Sequence, residues 1–217
     1  LERLWRRDRP RIVTSLGNDA ILRSSGIAAQ ALDWDQRLTL RPGVEVIVNR
    51  NHHWSSRWLI DRDRALWSSF VITLPGGNLF FAGDTRAGDY RWADKAASYG
   101  PIRLAILPIG AFRFYEGQMR TASHVGPGEA IELWNRLGRP HALPMHWGTF
   151  RLSWEGHSTP PDMLRAIQAC AGETSGRFAP REIGQAFAVP PLSAAPRAIA
   201  KASDDRCLRA PSVTAFR

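Results

Sequence analysis

The chain has 217 residues, of which 44% are hydrophobic and 10% aromatic, which is enough for one sizeable globular core. No apolar run of about 18 residues occurs and the N-terminus lacks the apolar centre of a signal peptide, so neither a transmembrane helix nor a secreted precursor is expected. The net charge is +9, but residues 1–11 and 192–217 carry +3 each, and the small remainder argues against a specific nucleic-acid surface.

The first half of the chain predicts two short helices and a run of strands. The periodicity changes from helical to alternating, and a Pro-Gly-Gly-Asn turn joins two of the strands into a hairpin, so that part of this half forms a β-meander. The predicted helices are 1–8 and 18–25, and the predicted strands are RIVTSL (11–16), VEVIVNR (44–50), LWSSFVITL (66–74) and LFFAGD (79–84).

The second half predicts strands that alternate with helices. IRLAILPIG (102–110) is a continuous apolar run, which is typical of a strand buried on both faces. Proline at the first turn and glycine at the end mark the helix PGEAIELWNRLG (127–138). The remaining predicted elements are the helices 90–100 and 159–172 and the strands HALPMHWG (141–148) and QAFAVP (185–190).

This order of elements predicts an α/β fold in which helices cover packed sheets. We assign residues 1–190 to one domain and predict a disordered tail over 191–217, because the tail is rich in Pro, Ala, Ser and Arg and shows no periodicity. Cys170 and Cys207 have no metal-ligand spacing, so neither a disulfide framework nor a zinc ribbon is expected. A reducing, cytoplasmic compartment fits these features.

Three metal-ligand residue types stand where predicted strands end. His53 follows the strand 44–50, Asp84 follows LFFAG, and His146 follows LPM. Imidazole and carboxylate suit zinc or a similar transition metal. Each residue has an ordinary alternative, in which Asp84 caps a helix and His146 is a hydrogen-bonded core histidine. His52 and His53 are adjacent in an extended segment and cannot face one target, so at most one of them is a ligand.

Several motifs resemble the metallo-β-lactamase superfamily in their order and spacing. Within it, the chain resembles the N-acylphosphatidylethanolamine-hydrolysing phospholipase D family and its bacterial relatives, over about residues 1–190. The motifs are NHHWSSR, LWSSFVI, LFFAGDT, LAILPIGAF, SHVGPGEAI and MHWGTF, followed by the two prolines that open the next helix. The expected fold is therefore the C-terminal part of a metallo-β-lactamase αββα sandwich.

The resemblance also implies site residues and a mechanism. It implies that His53, Asp84 and His146 are metal ligands, that His52 faces away, and that Asp84 is shared between two zinc ions, with other divalent metals as alternatives. Hydrolysis would then use a metal-bound hydroxide and no protein nucleophile. We assign His124 a catalytic or substrate-binding role, with support of its own loop as the alternative, and place His157 at the substrate rim.

One segment of the superfamily pattern is not in this sequence. The HxHxDH motif supplies most of the remaining ligands in the family, but no histidine precedes His52 here. From the family spacing we expect this motif a few residues before Leu1, and therefore a fragment of a longer enzyme that is inactive on its own. If the chain were instead active on its own, the missing ligands would have to come from His52, His124, Asp89 or Glu116.

We expect the complete enzyme to hydrolyse a phosphodiester bond of a phospholipid-like substrate. Lactone hydrolysis is the alternative within the superfamily, and a non-catalytic remnant is the alternative from another class. A lipid substrate implies peripheral membrane contact through an exposed apolar patch near the site, with arginines at its rim. The candidates for this patch are Trp54, Trp58, Phe112, Phe114 and Tyr115, and for each the alternative is an ordinary core aromatic.

Overall fold

The computed structural model describes residues 1–58, 60–118, 123–182, 184–192 and 205–216. They form a mixed α/β fold with a six-stranded sheet at its centre, which confirms the predicted class. The helices are α1 (Glu2–Asp8), α2 (Asp19–Ser24), α3 (Arg91–Ser98), α4 (Pro127–Arg136), α5 (Thr159–Cys170), α6 (Asp205–Arg209) and α7 (Pro211–Thr214). The strands are β1 (Val13–Ser15), β2 (Gln30–Leu32), β3 (Arg37–Arg41), β4 (Val44–Asn49), β5 (Ser69–Thr73), β6 (Asn78–Phe81), β7 (Ile102–Pro108) and β8 (His141–Met145).

The direction of the strands changes across the large sheet. The strand order is β3-β4-β5-β6-β7-β8, and the first four strands are antiparallel neighbours. β6, β7 and β8 are parallel neighbours, with α3 in the connection between β6 and β7 and α4 in that between β7 and β8. β4 is separated from β6 by two antiparallel steps and therefore runs in the same direction as the three parallel strands.

The hydrophobic core lies between this sheet and a layer of helices. α4 is at the centre of the layer, and its buried side chains include Ile131, Leu133 and Trp134. They join Phe80 and Leu107 from the sheet in one buried cluster. β7 is buried along most of its length, as its continuous apolar sequence predicts. No helix among the described residues is both long and apolar enough to cross a membrane.

The C-terminal segment differs from the prediction. Residues 193–204 and 217 of the predicted tail lie outside the described residues, but the prediction of disorder is wrong for 205–216, which form α6 and α7. Cys207 and Val213 are buried in the core cluster, and the side chain of Leu208 occupies the space that Gly128 leaves on α4. These helices are too short to show a sequence periodicity, and burial against α4 and α5 stabilises them.

The two cysteines form a disulfide, which is contrary to the prediction from their spacing. Cys170 at the end of α5 is bonded to Cys207 in α6, across a sequence separation of 37 residues. Tertiary packing brings the two residues together, and no local spacing could have indicated the bond.

The predicted last strand is also wrong. Residues 185–190 are not in a strand, because the edge of β8 is occupied earlier in the chain. The N–H of Ala142 donates to the carbonyl of Arg177 at 2.7 Å, and Phe178 forms the adjacent single bridge and is buried. β2 and β3 are not among the predicted strands, because β2 has only three residues and β3 is exposed or half-exposed along its whole length.

The packing of α7 can be tested with one buried position and its exposed neighbour. We expect Val213→Asp to lower the free energy of unfolding by about 2 to 4 kcal/mol, because an unpaired charge would be buried. Ser212→Asp is the matched control, since Ser212 is exposed, and it should change little. Urea denaturation measures both, and equal stability of the two variants would contradict the packing.

Candidate functional site

The candidate site lies at the edge of the sheet where β4, β6, β7 and β8 end. Because these strands share one direction, the loops that follow them meet at the same edge. His53 follows β4, Asp84 follows β6, and His146 follows β8 directly. His124 lies in the long connection from β7 to α4. The structure thus brings together all three predicted metal ligands and the histidine predicted to contact substrate.

The ligand-type atoms of these residues are close to one another. One ligand atom each from His53, Asp84 and His124 lie within 4.8 Å of one another. His146 joins this group because its Nε2 lies 3.3 Å from Oδ1 of Asp84. The ring of His124 is 5.2 Å from that of His53 and 5.0 Å from that of His146, measured between centroids. The four residues are therefore neighbours, with Asp84 and His124 each close to both His53 and His146.

Hydrogen bonds between two loops fix His53 relative to Asp84. The side chain of Asn51 is buried, and its Nδ2 donates to the carbonyls of Ala82 and Asp84, at 2.9 Å each. The N–H of His52 donates to Oγ1 of buried Thr85 at 3.1 Å. These bonds cross between the segment after β4 and the segment after β6, so they hold together the two segments that carry His53 and Asp84.

Gly83 permits this close approach of backbone to backbone. Its φ is +65°, and a Cβ at this position would lie 2.8 Å from the carbonyl oxygen of Ser68. A side chain would therefore displace the turn that carries Asp84.

His52 is held away from the group. Its ring packs against Gly88, where a Cβ would lie 2.4 Å from Nδ1 of His52, and the residue is exposed. Two other residues named as possible replacement ligands also lie apart from the group: Asp89 forms an exposed ion pair with Arg91, and Glu116 is exposed. Of the four possible replacement ligands, only His124 belongs to the cluster among the described residues.

The orientation of two of the histidine rings is set by backbone carbonyls. Nδ1 of His124 lies 3.0 Å from the carbonyl oxygen of Ala111, and Nδ1 of His146 lies 3.3 Å from that of Gly110. A carbonyl can only accept a hydrogen bond, so each Nδ1 carries the hydrogen. In the neutral ring, the lone pair is then on Nε2, which is the tautomer a metal ligand with this hydrogen bond adopts.

The electrostatics of the site favour neutral imidazoles. Burial, together with the nearby His124, lowers the pKa of His53 to about 4, while Asp84 acts in the opposite direction. Burial also lowers the pKa of His124, against the effect of its hydrogen bond to Ala111. Neutral rings present lone pairs, which metal binding requires.

One buried nitrogen of the site has no hydrogen-bond partner in the described part of the chain, as is expected of an atom that is free to bind a metal ion. Nδ1 of His53 is buried and has no hydrogen-bond partner among the described residues. A buried polar atom without a partner is costly and calls for an explanation in a native fold. Three imidazoles and one carboxylate are a donor set suited to zinc and similar divalent metals.

A cavity of about 460 Å³ opens beside His146 and is lined mainly by residues 146–157. His157 lies on its wall, with Nε2 2.7 Å from the carbonyl oxygen of Gly148. His157 and His146 therefore line the same cavity. Glu155 lines the same cavity and is a buried acidic residue that the sequence analysis does not single out. An acidic residue between Trp154 and Gly156 gives no sequence signal of burial.

The apolar surface near the site differs in one residue from the predicted patch. Phe112 is completely buried in the core cluster, because the turn after β7 directs its ring inward, so for this candidate the alternative of an ordinary core aromatic holds. The other four candidates are exposed. Three large side chains outside the prediction are also exposed on the wall of the cavity or next to it. The exposed residues are Trp54, Trp58, Phe114, Tyr115, Phe150, Leu152 and Trp154.

The chain is similar in sequence to one protein family and to several curated proteins. Residues 6–147 match the beta-lactamase superfamily domain. The N-acyl-phosphatidylethanolamine-hydrolyzing phospholipase D of Saccharomyces cerevisiae is 28% identical over 82% of this chain and 39% of its own length. The N-acyl-phosphatidylethanolamine-hydrolyzing phospholipase D 1 of Caenorhabditis elegans is 31% identical over 70% of this chain and 45% of its own length. The chain thus spans less than half the length of both curated relatives.

A solved structure shows the same fold. Igni18, described as a novel metallo hydrolase from the archaeon Ignicoccus hospitalis, superposes with a TM-score of 0.59 at 17% identity. The superposition covers 82% of this chain and 67% of Igni18.

The low pKa of His53 predicts how stability depends on pH in the metal-free chain. Between pH 6.5 and about 4, the unfolded chain binds a proton at this residue that the folded chain does not, so stability is lost as the pH falls through this window. We expect His53→Asn to make this loss smaller, measured by urea denaturation across the window. His52→Asn is the matched control. A His53→Asn variant whose stability depended on pH in the same way as that of the control would contradict the low pKa of His53.

Proposed function

The chain belongs to the β-lactamase superfamily, in which similar proteins are metal-dependent hydrolases, and on that premise we propose that it carries a hydrolytic metal centre. The proposed ligands are the four residues that converge at the sheet edge, His53, Asp84, His124 and His146. The proposed reaction is hydrolysis of a phosphodiester bond in a phospholipid-like substrate. The observation that carries the proposal is the approach of the three ligand atoms to within 4.8 Å, with His146 next to Asp84.

The chain's own residues prepare this centre. His53 stays neutral at ordinary pH because its pKa is about 4. His124 and His146 present Nε2 because their Nδ1 atoms donate to carbonyls. Asp84 contributes a carboxylate that is about half exposed and offers two oxygens to a metal ion. A divalent ion such as zinc, when bound, supplies Lewis acidity toward a phosphoryl oxygen.

A phosphodiester substrate is supported by a nearby positive charge. Arg86 follows the Asp84 turn and lies close enough to His53 for its charge to lower the pKa of that ring. Its backbone N–H donates to the carbonyl of His52 at 2.9 Å, which ties it to the same pair of loops. A guanidinium in this position attracts a phosphate group and suits its geometry.

A lipid substrate is supported by the apolar surface beside the site. The N–H of Trp154 donates to the carbonyl of Arg113 at 2.7 Å, so the segments that expose Phe114 and Trp154 are neighbours. We call the exposed residues of these two segments the aromatic rim, which consists of Phe114, Tyr115, Phe150, Leu152 and Trp154. A rim of this kind next to a site, with Arg151 exposed within it, suits contact with a lipid surface. The relatives from yeast and nematode, whose descriptions name a phospholipid, agree with this choice.

The metal centre can be tested by zinc binding. We expect His146→Ala and His53→Ala each to weaken zinc affinity at least about tenfold, because each removes one ligand from the site. His52→Ala should bind zinc as the unchanged chain does, since His52 packs away against Gly88. Isothermal titration calorimetry measures the three variants, and equal losses in all of them would contradict the proposed ligand set.

The substrate can be tested with a panel of phosphodiesters and lactones. We expect turnover of a phospholipid in vesicles to exceed turnover of soluble lactones, and Trp154→Ser with Phe150→Ser to reduce the vesicle reaction more than the reaction on a short-chain soluble phosphodiester. The assay compares two proteins, the 217-residue chain alone and a longer chain that also includes any residues encoded before Leu1. Activity that was indifferent to vesicles and strong on a lactone would replace the phosphodiester proposal.

A further inference from the structure

The turn that follows β7 supplies both carbonyls that orient site histidines. Residues 110–113 form this turn, and we call it the carbonyl turn. Gly110 accepts from His146 and Ala111 accepts from His124. A shift of this turn would release both rings at once, and with them the direction in which each Nε2 points. The stability of the carbonyl turn is therefore a condition for the geometry of the whole site.

The carbonyl turn is conformationally demanding. Ala111 has a φ of +57°, in the left-handed region that residues with a Cβ rarely adopt. At Gly110, a Cβ would lie 2.3 Å from the carbonyl oxygen of His146, so the backbone of the turn touches that of the β8 end. His146 itself has a φ of +63°. Such a turn persists only where surrounding contacts hold it.

Glu155 supplies those contacts. Its side chain is buried, and its two carboxylate oxygens accept from the N–H groups of the turn, Oε1 from Phe112 at 3.2 Å and Oε2 from Arg113 at 3.0 Å. The next residue back, Trp154, donates its N–H to the carbonyl of Arg113. The segment 154–155 thus accepts hydrogen bonds from two N–H groups of the turn and donates one to a carbonyl of the turn.

Arg113 balances the charge of this buried carboxylate. Its guanidinium is buried, and burial lowers its pKa while the charge of Glu155 raises it. Its Nε donates to the carbonyl of Gln118 at 3.1 Å, and Oε1 of Gln118 accepts from the N–H of Phe114 at 2.7 Å. The turn, Glu155 and the segment to Gln118 form one connected network beneath the site.

We propose that Glu155 is a positioning residue of the metal centre, which holds the carbonyl turn and thereby presents Nε2 of His124 and His146 toward Asp84. This inference rests on the proposed function, because it assigns Glu155 to that same site. Glu155 acts on the two histidines through the backbone of residues 111–113, to which its carboxylate is hydrogen-bonded. Hydrogen-bonded groups behind metal-ligating histidines commonly change metal affinity by about 10- to 100-fold when they are removed.

The first test reads the histidine tautomers in the metal-free chain by long-range ¹H–¹⁵N NMR. We expect His124 and His146 to carry their hydrogen on Nδ1 in the unchanged chain, and Glu155→Ala to give a mixture of the two tautomers at both rings. Glu155→Gln keeps one acceptor oxygen, so it should give an intermediate result and also serves if the alanine variant does not fold. Glu132→Gln, which alters an acid on α4 that pairs with Arg136, is the matched control and should leave both tautomers unchanged.

The second test measures zinc affinity and thermal unfolding of the same variants. We expect Glu155→Gln to weaken zinc binding about 10-fold and Glu155→Ala up to about 100-fold, with unchanged affinity in Glu132→Gln. Loss of thermal stability with unchanged tautomers and unchanged affinity would overturn the positioning role, because a merely structural residue behaves in that way. If the unchanged chain bound no zinc but its tautomers still depended on Glu155, the proposed function would fail while the positioning of the rings would stand.

Discussion

The shared direction of β4, β6, β7 and β8 is the constraint on which the site depends. Their carboxyl ends meet at one edge of the sheet, and the connections that leave this edge carry His53, Asp84, His124 and His146. The residues are up to 93 positions apart in sequence, and no local structure could bring them together. The helices pack on a face of the sheet, which leaves this edge for the loops. The architecture thus separates the core, which stabilises the fold, from the edge, where polar residues converge.

The edge requires close backbone contacts, and these explain the residues found there. Gly83 and Gly110 lie where a Cβ would meet another chain segment below 3 Å. Ala111 and His146 adopt left-handed φ values next to the same contacts. Strain of this kind costs about 1 to 3 kcal/mol for each residue. Two separate sets of hydrogen bonds, those of Asn51 and Thr85 and those of Glu155, offset this cost and hold the segments that carry the ligand-type atoms.

Much of the fold could be predicted from the sequence, because strong periodicity marks its central elements. The apolar strands, α3, α4 and α5, and the Gly-Asp and Met-His strand ends all give local signals. The polar strand β3, the disulfide, α6 and α7 depend on packing between distant segments, and the sequence carries no local trace of it. QAFAVP alternates like a strand, but Phe178 already occupies the edge that it would need.

The site shows the same division between local signal and tertiary arrangement. His53, Asp84 and His146 could be singled out because each stands after a strand, whereas the place of His124 between the rings depends on how a long loop folds back. Glu155 could not be found at all, because its partners are backbone N–H groups about 40 residues earlier in the chain. Side-chain patterns indicate ligands, but the groups that orient them act through the backbone.

The central claim is that four residues at one sheet edge form a single metal centre. The most direct test is anomalous diffraction at the zinc edge from a crystal of the chain grown with zinc. We predict an anomalous peak roughly 2 Å from ligand atoms of His53, Asp84, His124 and His146, or two adjacent peaks that share Asp84. Zinc bound elsewhere on the chain, with these four side chains free of it, would contradict the account.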